Sequence, residues 1–446
     1  MASAAEQLVS NINLSAFSKA TELKNRLWFT LGALIIYRLG TYLPLPGIDP
    51  VALGQLFQRN SGGILGMFDM FSGGALQRMS IFALNIMPYI SASIIVQLLT
   101  AVLPSFEAMK KEGEVGRKKL NQYTRMGTVL LSAVQAFGIA VGLESAGAGG
   151  QSGVVVDPGL FFRFTTVVTL VGGTMFLMWL GEQITARGVG NGISLIIFSG
   201  IVARMPFAIG NLLELSRVGE ISVVFVLLFF VIAVATITFI VFMERAQRRI
   251  LVQYPKRQVG NKMFGGEASH LPLKLNTAGV IPPIFASSLL LLPATFLSFN
   301  TGEQSAWMSW FSYWFAAGRP GYIIAYVLMI VFFCFFYTAI VFNPTETADN
   351  LRKYGGFVPG YRPGKITADY LDYVLTRLTV VGSLYLAAVC VLPELARAEY
   401  AVPFGGTSIL IVVSVTMDTV AQIHSHLLAH QYEGLIKKAK LRGRRG

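Results

Sequence analysis

The residue types that could do covalent or metal chemistry are few in this chain, and they do not gather into working sets. Gly192-Ile193-Ser194 and Gly406-Thr407-Ser408 each place a serine two positions after a glycine. Neither has the second glycine of a nucleophile elbow, and no acid–histidine pair accompanies either one. Small residues with serine inside a span serve close helix packing instead. His424, His426 and His430 invite a metal reading. Positions i and i+2 do not share a helix face, however, and no cysteine or carboxylate cluster joins them, so they read as interfacial polar residues. Cys334 and Cys390 each lie in an apolar run and read as packed thiols. No Gly-x4-Gly-Lys-Ser/Thr loop occurs, so nucleotide-driven work would come from a partner. The expectation is a protein that is not an enzyme, with no catalytic residue, no metal and no cofactor.

The charges inside or beside apolar runs are equally sparse: Arg38, Arg78, Arg163, Glu182, Arg377 and Asp418. Most fall near the ends of runs, where long side chains snorkel to the interface. A secondary solute transporter, the alternative reading, would place paired charges at midplane. Here the central positions hold Ile, Ser, Ala and Pro, which suits a pathway closed by apolar side chains and gated by dewetting. A membrane-embedded enzyme would need a nucleophile–base pair, which is missing.

The elements that carry these residues follow from composition. Of 446 residues, 54% are hydrophobic and only 13% charged. Apolar runs of spanning length recur throughout, which leaves no room for a large soluble domain. Ten spans are expected: Leu27–Leu43, Met79–Leu103, Met126–Leu143, Leu160–Gly181, Val189–Gly210, Ile221–Met243, Leu275–Phe299, Gly321–Phe342, Tyr370–Pro393 and Val402–Leu427. Most of the 36 Lys and Arg fall on the side shared by the two termini. The positive-inside rule therefore assigns both termini to the cytoplasm. The N-terminal stretch lacks a short apolar core with a cleavage site, so no removable signal is expected.

The chain is organised around FSGGALQRMSIFALNIMPYISASIIVQLLTAVL, residues 71–103. Pro88 sits within the span read there and is expected to interrupt it. The Gly-rich SGGILGMFDMFSGG before it is too short to cross a bilayer and is tolerated there only if sheltered by protein or lining a cavity. Two echoes relate the halves of the chain. IMPYISAS matches VIPPIFAS, setting Pro88 on Pro282 and Ile90 on Ile284; GISLII matches GTSILI, setting Ile197 on Ile411. Weak internal symmetry of this kind is how many membrane transport folds are built.

Two long basic loops complete the reading. Residues 244–274 contain ILVQY and a Gly-Gly after Phe264, which suggests short strands joined by turns. Residues 343–370 read as a short helix followed by a Gly/Pro-shaped hook that presents Arg362. Such loops are docking surfaces more often than tethers. The tail GLIKKAKLRGRR is a charge run suited to anionic lipid or to RNA phosphates.

From about Glu22 to Lys440 the sequence resembles the SecY family, the central subunits of the bacterial Sec protein-translocation channel. The resemblance is carried by FSGGAL, MPYISASII, GTMFLMWLGEQIT, GVGNGIS, HLPLK, NPTETADNL, FVPGYRPG and FGGTSILI. It implies an all-α polytopic membrane protein of ten transmembrane helices. These would form two pseudo-symmetric five-helix halves, an inverted-repeat clamshell around a central hourglass pore. The chain would then divide into a cytoplasmic segment 1–26, an N-terminal half 27–210, a C-terminal half 211–427 with docking loops 244–274 and 343–370, and a basic tail 428–446.

The resemblance also implies the site. A pore ring would comprise Ile86, Ile90, Ile197, Ile284 and Ile411. A plug of about residues 63–74 would include Gly63, Ile64, Leu65, Met67, Phe68, Asp69, Met70, Phe71, Ser72, Gly73 and Gly74. Ser91, Gln135 and Asn276 would be polar positions of a lateral gate that binds signal sequences, with ordinary interhelical hydrogen bonding as the plain account of Ser91 and Gln135. Lys256, Arg257, Lys262 and Arg362 would dock partners, although Asn261-Lys262 replaces the Arg pair frequent in relatives. The implied activity is translocation of unfolded secretory polypeptides and lateral release of hydrophobic segments into the cell inner membrane. The implied partners are SecE and SecG, the SecA ATPase, the ribosome, substrates with signal sequences, membrane lipid, YidC and SecD/SecF.

Overall fold

The computed structural model describes residues 21–60, 69, 72–147, 154–219, 221–254, 257–259, 262–264, 268–299, 314, 319–399 and 406–443. The described chain is mainly helical, in the order α1 Thr21–Gly40, α2 Pro50–Asn60, α3 Met87–Val102, α4 Pro104–Lys111, α5 Glu114–Gly147, α6 Leu160–Arg187, α7 Gly192–Val218 and α8 Val223–Arg245. Four short strands follow, β1 Gln247–Gln253, β2 Arg257–Val259, β3 Lys262–Phe264 and β4 Ala268–Lys274. The chain then returns to helix with α9 Ile281–Phe299, α10 Pro320–Val341, α11 Pro344–Lys353, α12 Lys365–Glu399 and α13 Gly406–Gly443.

Among the described residues, seven helices are long and apolar enough to cross a membrane: α5, α6, α7, α8, α10, α12 and α13. The protein is therefore a multi-pass membrane protein. In α8 only Val226 and Ile240 are buried, the mark of a helix with lipid on most sides. An eighth crossing is made if α3 and α4, bent by 98° at Leu103, are taken together.

Two expected spans begin later as helix than their apolar runs do. The run from Met79 is helical only from Met87, and the run from Leu275 only from Ile281. The cause is proline. Pro88 and Pro282 each occupy the second position of their helix, where a missing N–H has no intrahelical acceptor to serve. Both start helices, which for Pro88 corrects the expected interruption of its span. The stretch before α3 runs through turns, with Met79 and Asn85 at positive φ of 45° and 50°. Its backbone is sheltered: Leu45 N–H donates to Met79 C=O at 2.9 Å and Ile81 N–H to Leu43 C=O at 3.0 Å. Such partners make irregular backbone tolerable at membrane depth.

Chain packing divides the molecule into two units. One comprises Met1–Ala92, Asn121–Pro206 and Val415–Gly446; the other comprises Ser93–Leu120 and Phe207–Ser414. The divisions fall within α3, α5, α7 and α13.

The two long basic loops both belong to the second unit, and they fold as one piece. β1 pairs antiparallel with β4 from Gln247↔Lys274 to Gln253↔Ala268, and β2 pairs with β3. Phe357 of the later loop continues the ladder, exchanging N–H···O=C bonds of 2.9 Å in both directions with Gln253. Ile250, Val252, Leu273, Val358, Leu371 and Val374 close into a small core beneath. The expected helix-then-hook is present. Asn343 caps α11, its Oδ1 accepting from the Thr345 and Glu346 N–H groups at 3.1 and 3.3 Å. Gly355, Gly360 and Gly364 then take positive φ through the hook. The expected turn at Gly265-Gly266 lies outside the described residues.

Candidate functional site

The five isoleucines singled out in the sequence are all buried, at 0 to 9% exposure, so none of them faces lipid. Ile86, Ile90 and Ile197 belong to the first unit, and Ile284 and Ile411 to the second. Each lies within six residues of a helix start: Ile86 just before α3, Ile90 and Ile284 in first turns, and Ile197 and Ile411 at the sixth positions of α7 and α13. Helix starts, not helix middles, carry these side chains.

The seats of α7 and α13 explain one of the sequence echoes. Gly192 opens α7 against α6, where a Cβ would lie 2.0 Å from the Gly181 carbonyl oxygen. Gly406 opens α13 against α12, where a Cβ would lie 2.1 Å from the Val389 carbonyl oxygen. Only glycine permits either approach. Asn191 caps α7 with its Oδ1 accepting from Ile193 N–H at 3.1 Å, and the Gly192 N–H donates to Thr185 Oγ1 at 2.9 Å. In the second unit the Tyr326 hydroxyl on α10 and Thr407 Oγ1 in the first turn of α13 are hydrogen-bonded at 2.8 Å. Thr407 lies four residues before Ile411, on the same helix face.

Of the three expected gate positions, Asn276 has a full local account. Its Nδ2 donates to Glu244 Oε1 at 2.7 Å and to the Gly279 carbonyl at 3.0 Å, while its Oδ1 accepts from Gly279 N–H at 3.1 Å. It ties the end of α8 to the turn that leads into α9. Ser91 is buried. Gln135 keeps its side-chain oxygen buried without a hydrogen-bond partner among the described residues, an unsatisfied group that a polar visitor would relieve.

Of the expected plug, Asp69, Ser72, Gly73 and Gly74 are described; Gly63, Ile64, Leu65, Met67, Phe68, Met70 and Phe71 lie outside the described residues. Asp69 is 2% exposed. It forms an ion pair with Arg204 of α7, a residue that the sequence reading passed over. The signal was available: Arg204 is a charge within an expected span, and intramembrane charge marks function by default. The reading also passed over the pair Arg125–Glu182, which joins α5 to α6 at 2.5 Å.

Arg362 is exposed at the tip of the hook, with its carbonyl accepting from Thr367 Oγ1 at 2.8 Å. Arg257 and Lys262 fall on β2 and β3, whereas Lys256 lies outside the described residues. His424 and His426 lie on α13, and among the described residues no group of His, Cys, Asp or Glu could hold a metal ion.

Comparison with known proteins places this geometry in a family. The family model SecY matches residues 80–420. A "Protein translocase subunit SecY" of Rickettsia felis is 56% identical over 430 residues, covering 96% of this chain and 99% of the relative. The subunit of that name from Escherichia coli is 55% identical over 425 residues, covering 95% and 96%. Among solved structures, one described as "The structure of a protein conducting channel" superposes with a TM-score of 0.66 at 17% identity, over 91% of this chain and 92% of that one. A channel from a canine ribosome-channel complex of the endoplasmic reticulum gives 0.62 at 17% identity, over 91% and 92%. At that identity the likeness speaks to the fold.

Proposed function

The chain belongs to the SecY family, and on that premise we propose how it works as the channel subunit of a protein translocase. It is a protein-conducting channel: polypeptides cross the membrane through it. The observation that carries this reading is near-full-length identity of 55–56% to translocase subunits. The burial of all five isoleucines supports it.

In this proposal Ile86, Ile90, Ile197, Ile284 and Ile411 form the constriction. A collar of apolar side chains grips an extended chain of any sequence without specific hydrogen bonds, and when closed it offers little polar surface to water or ions. The chain divides functionally into residues 27–210 and 211–427, with the segment of about 63–74 as the plug. Hydrophobic segments leave sideways past Ser91, Gln135 and Asn276, where signal sequences bind. The unsatisfied oxygen of Gln135 supports a polar role at that position.

The joined cytoplasmic loops, with Arg257, Lys262 and Arg362, receive the partner that supplies energy, either the ribosome or the SecA ATPase. Support comes from the ladder between Gln253 and Phe357, which makes one rigid platform of two loops. It comes also from the fold shared with a channel in a ribosome-channel complex. SecE and SecG are the expected companion subunits. The cell inner membrane is the expected location, with both termini cytoplasmic on the charge distribution. As a channel the subunit itself catalyses no covalent step. The test is a cysteine placed at Ile284 and cross-linked to a stalled secretory chain. A cross-link that requires the signal sequence supports the reading; efficient translocation without a cross-link there overturns the assignment of the constriction.

A further inference from the structure

Arg204 lies twelve residues into α7, a helix long and apolar enough to cross the membrane. A charge there needs a partner, and it has one in Asp69, whose side chain is 3% exposed. The Asp69 carboxylate is further held: its Oδ1 accepts from Gln77 N–H at 2.7 Å and from the Ser72 hydroxyl at 3.5 Å. The turn that follows lies against the same helix. A Cβ on Gly73 would come within 2.9 Å of the Gly200 Cα. Gly200 and Arg204 are one helical turn apart, and Ile197 is three residues before Gly200, so all three share a face of α7.

Two more arginines hold the turn, but through its backbone. Arg38 donates to the Gly73 carbonyl at 3.1 Å, and Arg78 donates to the Gly73 and Gly74 carbonyls, both at 3.2 Å. Any residue sequence offers carbonyls. The contacts specific to side-chain identity are those of the Asp69 carboxylate, and the one that brings in a counter-charge is the ion pair. Its two members are unequal: the Arg204 side chain is 31% exposed, whereas that of Asp69 is only 3% exposed.

We propose that Arg204 is a positioning residue whose ion pair with Asp69 latches the Ser72–Gly74 turn onto the α7 face that carries Ile197, and so sets the resting tightness of the channel. The proposal rests on the channel reading above. Without Arg204 the carboxylate keeps its hydrogen bonds from Gln77 and Ser72 but is left buried without a counter-charge, a costly state that is relieved by moving the turn out to water. Without the carboxylate, Arg204 turns to solvent and the turn keeps its backbone bonds. The latch is therefore asymmetric, with the arginine the more critical member.

The test measures resting ion conductance in planar bilayers, using the full-length chain with the subunits that co-purify with it. Translocation of a secretory polypeptide is scored in parallel. R204Q is expected to raise resting conductance about tenfold, the equilibrium shift of 1.4 kcal/mol, with D69N raising it less. R204K, which keeps the charge, should restore most of the seal. The double variant D69N/R204Q should leak less than R204Q, since the stranded carboxylate is gone. Unchanged thermal unfolding of the extracted variants separates the latch from general loosening. Equal conductance of R204Q and the parent, or a double variant that sums the two single effects, overturns the latch while leaving the channel reading intact. Failure of the parent to move polypeptide overturns the channel reading itself.

Discussion

Gly192 sits so close to the carbonyl oxygen of Gly181 that a methyl group on it would stand 2.0 Å from that oxygen. Neither atom is free to give way, since both belong to helix backbone. Gly192→Ala should therefore force α7 away from α6 and cost about 1–3 kcal/mol, the range for overpacking. Gly406→Ala should do the same to α13 against α12. Gly172→Ala in α6, with nothing within 4 Å of the added carbon, should be neutral or gain up to about 1 kcal/mol of helix propensity. Thermal unfolding of the three variants in detergent checks the contrast.

The isoleucines at the helix starts should control leak more than stability. Ile90→Gly and Ile197→Gly are each expected to raise resting conductance in reconstituted bilayers, and the pair together more than either. Ile237→Ala, on the exposed side of α8, should leave conductance unchanged. Conductance that responds equally at all three positions would count against a constriction built from the first two.

The Tyr326–Thr407 hydrogen bond fixes the first turn of α13, four residues from Ile411. Tyr326→Phe should cost about 1 kcal/mol, the usual net worth of a hydrogen bond. Thr407→Val should cost the same, and the double variant no more than either alone. A double-mutant cycle on unfolding midpoints reads the coupling directly. Thr407→Ser keeps the hydroxyl and should recover most of the loss.

The cytoplasmic platform should fail as a unit. Val358 is 4% exposed in the core that joins the β1–β4 hairpin to the hook. Val358→Asp would bury an unpaired carboxylate there, and should open both loops to limited proteolysis while the spans resist. Arg362→Glu, at an exposed position, should leave the proteolytic pattern unchanged and weaken binding of the ribosome or motor. If Arg362→Glu left partner binding as strong as the parent's, the hook would lose its docking role.

What sequence could reveal here was periodicity and repetition. Each of the ten apolar runs coincides at least in part with a helix, because spanning length is a property of composition. The echo of Gly192 with Gly406 was visible as letters. Its cause, two glycines each seated on a neighbour's carbonyl, was not, because helix contacts leave no trace in a single sequence. Pro88 and Pro282 were misplaced because an apolar run does not say where its hydrogen-bond ladder begins. The Asp69–Arg204 pair joins residues 135 positions apart, across four intervening helices, and only folding brings them together. The exchange of hydrogen bonds between Gln253 and Phe357 is of the same kind. Each loop taken alone reads as an independent hairpin or hook.

The turn-rich stretch that precedes Met87 has a consequence for how the protein is made. Its carbonyl and amide partners at Leu43 and Leu45 are synthesised earlier. The Ile81 carbonyl, however, abuts Gly173, where a Cβ would lie 2.0 Å away, and so fits against a helix that emerges some ninety residues afterwards. Helix α3 alone, at sixteen residues and about 24 Å, falls short of a hydrocarbon layer of about 30 Å. The final shape of the segment is therefore complete only once α6 is present. The close fit of this segment against Gly173 thus depends on a helix that is synthesised after it.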